Sequence, residues 1–245
     1  MKKGSFTIGG VTSESLKMVI QSRPIVEAPL RKFEMRTPYS VDGQLPYDEG
    51  AYDNTNLELI ILVDGDNLIE DRQKVYDAFD GKGGYIDFVP YYDPDKIYKI
   101  MLNEVMAFEN NYMYGQKQAF TAKFTVKPYK YLTVSPSLIV DKTGATINNP
   151  TRYHSKPLIM LVGNGPAKVD VNRVEYSLSD VPNNLIIDSE RYSAYSEDGL
   201  GVISNGNKYV RFREFPTLKP GTNNIKFIGD GITAVHVQCN WRSLV

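Results

Sequence analysis

The chain has 245 residues, enough for one large or two ordinary domains. Apolar residues make up 42% and charged residues 23%, which excludes long disorder, and a net charge of −1 leaves no overall basic field to draw in nucleic acid. The single cysteine, Cys239, excludes a disulfide scaffold and any Cys₂ or Cys₄ zinc site, so a reducing cytosol is the simplest place for folding.

In chain order, Met1-Lys2-Lys3 is basic but no apolar core of a signal peptide follows. Thr12 to Gln21 admits a helix, against its β-branched residues and the Pro24 beyond it. Leu57 to Val63 is a dense apolar run and reads as a strand buried on both faces. Leu68 to Phe79 reads as the one clear helix, with Leu68, Val75, Tyr76 and Phe79 on its apolar stripe. Asn67 and Glu70 fit a capping box, and Gly81, Gly83 and Gly84 end the helix. Phe120, Ala122, Phe124 and Val126 alternate with polar residues, the period of a half-buried strand.

A domain boundary is expected at Lys127-Pro128-Tyr129-Lys130-Tyr131, giving domains 1–131 and 132–245. In the second domain, Leu158 to Val162 again reads as a strand buried on both faces. Ala167, Val169 and Val171, and then Val235, Val237, Cys239 and Trp241, alternate with polar residues. Asn164-Gly165, Asp198-Gly199 and Asn205-Gly206 read as hairpin dipeptides, and Pro220-Gly221 as the centre of a type II turn. No repeat of 20–50 residues is present. Many short strands with close turns make the chain mainly β, with a sandwich or barrel in its second half. The longest apolar runs fall far short of a membrane span, so no membrane insertion is expected.

The common catalytic patterns are missing. His154 and His236 are the only histidines, and His236 lies on the polar side of its strand. No G-x-S-x-G elbow occurs. Asp64-Gly65-Asp66 starts like a calcium loop, but Leu68 and Ile69 stand where an oxygen ligand and a glycine are needed. Gly163-Asn164-Gly165 starts like a phosphate loop, but Lys168 replaces the third glycine and no helix pattern follows. Asp188 and Glu190, two apart, would share one face of a strand and are the acidic pair open to glycoside hydrolysis. No catalytic, metal or cofactor residue is assigned, and the chain is expected not to be an enzyme. Tyrosine is abundant, 17 residues against one Trp. Tyr39, Tyr47, Tyr52, Tyr91, Tyr92, Tyr112 and Tyr114 crowd the first half, which suits either interfaces or local packing.

Several segments in order resemble the distal tail protein family (Dit) of long-tailed phages. In the first half these are Asp42-Gly43-Gln44-Leu45, Tyr52-Asp53-Asn54 with the run to Val63, Gly84-Tyr85-Ile86-Asp87-Phe88, Tyr92-Asp93-Pro94-Asp95-Lys96-Ile97-Tyr98 and Phe124-Thr125-Val126-Lys127-Pro128-Tyr129. The second half matches better. It has Gly163-Asn164-Gly165, Asn184 to Glu190, Phe215-Pro216-Thr217-Leu218-Lys219-Pro220-Gly221-Thr222-Asn223 and Trp241-Arg242-Ser243-Leu244.

The resemblance implies an N-terminal β-rich ring-forming domain with one helix and a C-terminal galectin-like or jelly-roll β-sandwich. It further implies a homo-hexameric ring at the virion tail tip, made in the host cytoplasm. That ring joins the tail tube to the tail-associated lysin or fibre hub, near the tape measure and receptor-binding proteins. It implies no cofactor and carries over no sugar site, because the galectin set of His, Asn, Arg, Trp and Glu is not found in order. The alternative is a carbohydrate-binding adsorption module for host wall glycans. A wall hydrolase using Asp188 and Glu190 ranks third.

Overall fold

The computed structural model describes residues 1–65, 68–104, 107–108, 117–197 and 201–245. These fall into two units, Met1–Thr133 with Leu244–Val245, and Val134–Ser243. Asn67, Tyr112, Tyr114 and the Asp198-Gly199 dipeptide lie outside the described residues.

In the first unit the elements are β1 (Phe6–Ile8), β2 (Val11–Thr12), β3 (Met18–Ile20), β4 (Arg31–Arg36), β5 (Leu45–Tyr52), β6 (Thr55–Asp64), α1 (Leu68–Phe79), β7 (Ile86–Pro90), β8 (Lys96–Leu102), β9 (Ala107–Phe108), β10 (Lys117–Val126) and β11 (Tyr129–Leu132). The main antiparallel sheet runs β2-β1-β7-β8-β10-β6-β3. Its spine is the pairing of β6 with β10, continuous from Asp64↔Lys117 to Thr55↔Val126. Two inward rows meet there: Leu57, Leu59, Ile61 and Val63 from β6, and Phe120, Ala122, Phe124 and Val126 from β10. The β6 run is therefore not buried on both faces. Glu58 points outward with Ile60, which is 40% exposed. Apolar density alone does not fix the number of covered faces, whereas the alternation of side chains does.

The Thr12–Gln21 stretch is not helical. It folds as β2, two tight turns and β3, with Lys17 at φ 53. The Ser13 hydroxyl, fully buried, accepts a bond from the Phe6 amide at 3.0 Å, and the Met18 amide donates to the Ser13 carbonyl at 2.8 Å. The β-branched Val11, Thr12, Val19 and Ile20 then enter ladders with β1 and β6, so sheet pairing overrides a weak local helix preference.

Helix α1 forms as read, but its inner face is rotated. Val75 and Phe79 are fully buried one turn apart, Asp71 is buried one turn earlier, and Tyr76 is 43% exposed. At 100° per residue, position 76 lies off the 71–75–79 line. Phe79 inserts among Phe6, Phe120 and Phe124, with ring centroids 5.6–6.4 Å away. Full burial of one such ring contributes about 1.5–3 kcal/mol. After Phe79 the left-handed residues are Lys82 (φ 47) and Gly83 (φ 77), with the Lys82 amide donating to the Asp80 carboxylate at 2.9 Å.

The second unit holds β12 (Ser137–Val140), β13 (Ala145–Asn149), β14 (Leu158–Gly163), β15 (Ala167–Val171), β16 (Val174–Leu178), β17 (Asn184–Asp188), β18 (Ser193–Glu197), β19 (Ile203–Asn205), a 3₁₀ turn at Asn207–Tyr209, β20 (Gly221–Ile228) and β21 (Ile232–Gln238). Two antiparallel sheets, β12-β21-β14-β17-β18-β19 and β13-β20-β15-β16, make a sandwich. Their inner faces supply Ile159, Leu161, Leu185, Ile187, Val235 and Val237 from one side and Val169, Val171, Ile225 and Phe227 from the other. Leu158, Met160 and Val162 are only half-buried, so β14 too has one core face.

The turn dipeptides mostly do other work. Pro220-Gly221 has Gly221 at φ 80, as a type II turn requires. Asn164-Gly165 carries the chain from one sheet to the other, and Asn205-Gly206 leads into the 3₁₀ turn. Neither is a hairpin. A tight two-residue hairpin in this unit is Asn172-Arg173 between β15 and β16, with φ 54 and 71, the signature of a type I′ turn.

Candidate functional site

Strands β4 and β5 pair with each other and with no other strand among the described residues, forming a two-stranded ribbon. Such a ribbon has no sheet face to bury and is marginal in water by itself. Its apolar side chains are exposed: Phe33 51%, Met35 46%, Leu45 51% and Tyr47 53%. Tyr39, in the connecting loop, is 99% exposed. In register, Met35 faces Pro46 and Phe33 faces Asp48, so Phe33, Met35 and Pro46 share one side.

Polar contacts stiffen the ribbon. The Arg31 guanidinium donates to both Asp48 carboxylate oxygens and to the Tyr52 hydroxyl. Those bonds hold the Asp48 carboxyl below its ordinary range, with help from the Gly50 amide. The Arg36 guanidinium lies 4.0 Å from the Tyr47 ring centroid and pairs with Glu34 at 2.7 Å. The base is tied to the unit by Tyr52, edge-on to Tyr129 at 6.0 Å.

Elsewhere in this unit three tyrosines pack together. Tyr91, Tyr92 and Tyr98 form an edge-to-face series. The Tyr98 hydroxyl donates to Asp93 at 2.9 Å, and Lys130 donates to both. Burial, then the hydrogen bond to Asp93 and that carboxylate's charge, pushes the Tyr98 phenol well above its usual value, and Tyr92 is raised likewise by burial. Beside Tyr91 and Tyr92 lies an open recess lined also by Lys3 and Arg23, about 1060 Å³ in volume.

The acidic pair does not form a hydrolase centre. Strand β17 ends at Asp188, and Glu190 lies in the turn beyond, so the two do not share a strand face. Asp188 accepts the Glu190 and Arg191 amides, each at 3.0 Å, and so caps that turn. Glu190 pairs with Arg242 at 3.6 Å. His154 is exposed, and His236 is half-buried on β21 opposite Ile139 and Met160.

The glycine run at 163–165 has no amide left for a phosphate. Gly163 donates to the Asn183 carbonyl, Asn164 to Gly231 and Gly165 to Val181. Gly65 packs against the Asp71 carboxylate, where an added Cβ would lie 1.5 Å from its oxygen. Among the described residues, no group of three or more His, Cys, Asp or Glu side chains could hold a metal ion, and no helix is long and apolar enough to cross a membrane.

No protein-family model matches the chain, and no curated protein matches it by sequence. A solved structure does. The Dit protein (gp 19.1) of SPP1, described as a paradigm of the hub adsorption apparatus in phages infecting Gram-positive hosts, superposes with a TM-score of 0.68 at 13% identity. The match covers 98% of this chain and 99% of that one. The chain has the Dit fold. At that identity the likeness lies in backbone architecture, and the Dit fold accommodates both units over their full length. Sequence reasoning missed the ribbon, whose strands carry no buried face to impose a period. Its signal was the clustering of Phe33, Met35, Tyr39, Leu45 and Tyr47 among charges.

Proposed function

We propose that this protein is a structural hub of a phage tail tip, a homo-hexameric ring linking the tail tube to the adsorption apparatus. The observation that carries the reading is the full-length likeness to a Dit protein, a hub component of such an apparatus. In this reading residues 1–131 build the ring and residues 132–245 form the sandwich domain. The ring's other neighbours are the tail-associated lysin or fibre hub, with the tape measure and receptor-binding proteins nearby, and its place is the virion. It works by docking, with no bond made or broken.

The ribbon supports this reading. A pair of strands that exposes Phe33, Met35 and Pro46 on one side gains its missing burial when a second copy covers that side. Repeated head-to-tail contacts of this kind close into a ring when the rotation fits. Native mass spectrometry or light scattering of the pure chain, alone or with the tube protein, is expected to give about six copies. The double variant Phe33→Glu with Met35→Glu keeps the thermal transition of the parent but stays monomeric. A parent that never assembles, or a double variant that assembles as well as the parent, refutes the ring and the ribbon respectively.

A further inference from the structure

The ribbon and the recess beside Tyr91 carry unbalanced charge of opposite sign. Within the ribbon every cation is matched: Arg31 by Asp48, Lys32 by Asp53 at 3.3 Å and Arg36 by Glu34 at 2.7 Å. That leaves Asp42, in the loop joining β4 to β5, and Glu49, on β5, exposed and with no cation partner among the described residues. In the recess the remainder is positive. Lys3 and Arg23 line it, both exposed, and neither pairs with a carboxylate among the described residues. Asp93, whose charge reaches Tyr92, is already held by Lys130 at 2.9 Å and by the Tyr98 hydroxyl. A single unmatched charge is ordinary on a surface. Two complementary remainders on one unit make a pair of unlike surfaces, the kind whose repeated contact closes a ring.

Shape agrees with charge. Tyr39, three residues from Asp42, is 99% exposed. The recess, about 1060 Å³, has an apolar wall of Val19, Leu62 and Tyr91 beside its cations. No ribbon residue lines the recess of its own copy. The steps from Arg31 to Tyr39, extended, span about 26 Å, a reach that takes the tip to a neighbour. We infer that the ribbon tip of one copy seats in this recess of the next, with the Asp42 carboxylate between Lys3 and Arg23 and the Tyr39 ring against Tyr91. The inference rests on the ring reading and adds to it the surface that receives the ribbon and the charge that orients it.

Reversing the charges tests the contact. Asp42→Lys inverts the tip, and Lys3→Glu with Arg23→Glu inverts the recess. All three residues are exposed, so both variants are expected to keep the parent's melting temperature. Each alone is expected to need at least about tenfold more protein than the parent for half assembly, read by light scattering. Mixed in equal amounts, the two are expected to assemble near the parent's concentration with copies alternating, because every tip then meets a recess of opposite sign. In the parent ring a carbodiimide, which joins a paired carboxylate and amine, is expected to link Asp42 to Lys3 between copies, read by mass spectrometry on mixed light and isotopically heavy chains. A parent that stays monomeric overturns the ring reading and this contact with it. A parent that assembles overturns the contact alone if either variant assembles equally well, if the mixture, its melting temperature intact, does no better than its components, or if Asp42 and Lys3 are never linked between copies. The cross-link decides by itself where a variant loses its thermal transition.

Discussion

At Gly163 the φ of 134 coincides with a break in register between β14 and β21. A Cβ there would lie 2.2 Å from the Gly231 carbonyl oxygen and 2.7 Å from the Ile232 Cα, both backbone atoms that cannot swing aside. Gly163→Ala is therefore expected to cost roughly 3 kcal/mol, seen as an earlier urea transition in Trp241 fluorescence. Cys239 shows how burial governs reactivity. It is fully buried, and burial pushes its thiol up to about 11. The thiolate is the reactive form and is scarce at any pH below that value, so reactivity rises as pH approaches it. Near pH 8 a disulfide reagent is expected to modify the native chain at least about a hundredfold more slowly than the urea-unfolded chain. Equal rates would show that the strand end opens freely. Asn223 illustrates the same accounting for a polar group. Fully buried, its amide donates to the Lys219 and Gly221 carbonyls while its oxygen accepts from the Lys219 amide and Asn172. The Pro220-Gly221-Thr222-Asn223 turn noticed in the sequence is thus held by its last residue.

Among the elements, the hairpin between β15 and β16 offers a stabilising change. Arg173 occupies the second central position of a type I′ turn at φ 71, where glycine is favoured. Its amide already donates to Asp170 at 2.9 Å, a bond glycine keeps. Arg173→Gly should raise stability by about 1 kcal/mol, measured as a melting temperature higher by a few degrees. What was legible in the sequence follows from burial. Phe120 to Val126, Ala167 to Val171 and Val235 to Trp241 alternate because each faces a core on one side, and they were readable. The helix 68–79 was readable from the same cause, though Asp71, not Tyr76, completes its inner face. The ribbon was not, because neither β4 nor β5 has a core to impose a period, and Pro46 and Gly50 interrupt what pattern there is. The ring series from Tyr176 through Phe212 and Phe215 to Tyr192 was hidden for a different reason. Tyr176, Tyr192 and Phe215 are far apart in sequence and meet only through the turns that join β16, β17 and β20.

The whole chain is not two beads in succession, because the first unit is made of two pieces. Val245 returns to it, its amide donating to the Pro128 carbonyl at 3.1 Å and its side chain packing on the first unit's core. The second unit closes on itself, since the Asn240 amide donates to the Ser135 hydroxyl at 2.8 Å near its two ends. The sandwich therefore stands as an insertion between Thr133 and Leu244, and the last residues of the sequence belong to the first fold. Removing Leu244 and Val245 takes away the Val245–Pro128 hydrogen bond, a partly buried valine and Leu244's share of the strand pairing with β11, together at least about 1–3 kcal/mol. That loss falls on the first unit although the cut is at the opposite end of the chain. Trp241, the single tryptophan, is buried in the second unit and serves as that unit's probe. In urea, the shortened chain is expected to show an earlier far-ultraviolet dichroism transition for the first unit, while the Trp241 fluorescence transition keeps its midpoint. If both midpoints move together, the units unfold as one cooperative body; if neither moves, the returning terminus contributes nothing to the first unit's stability.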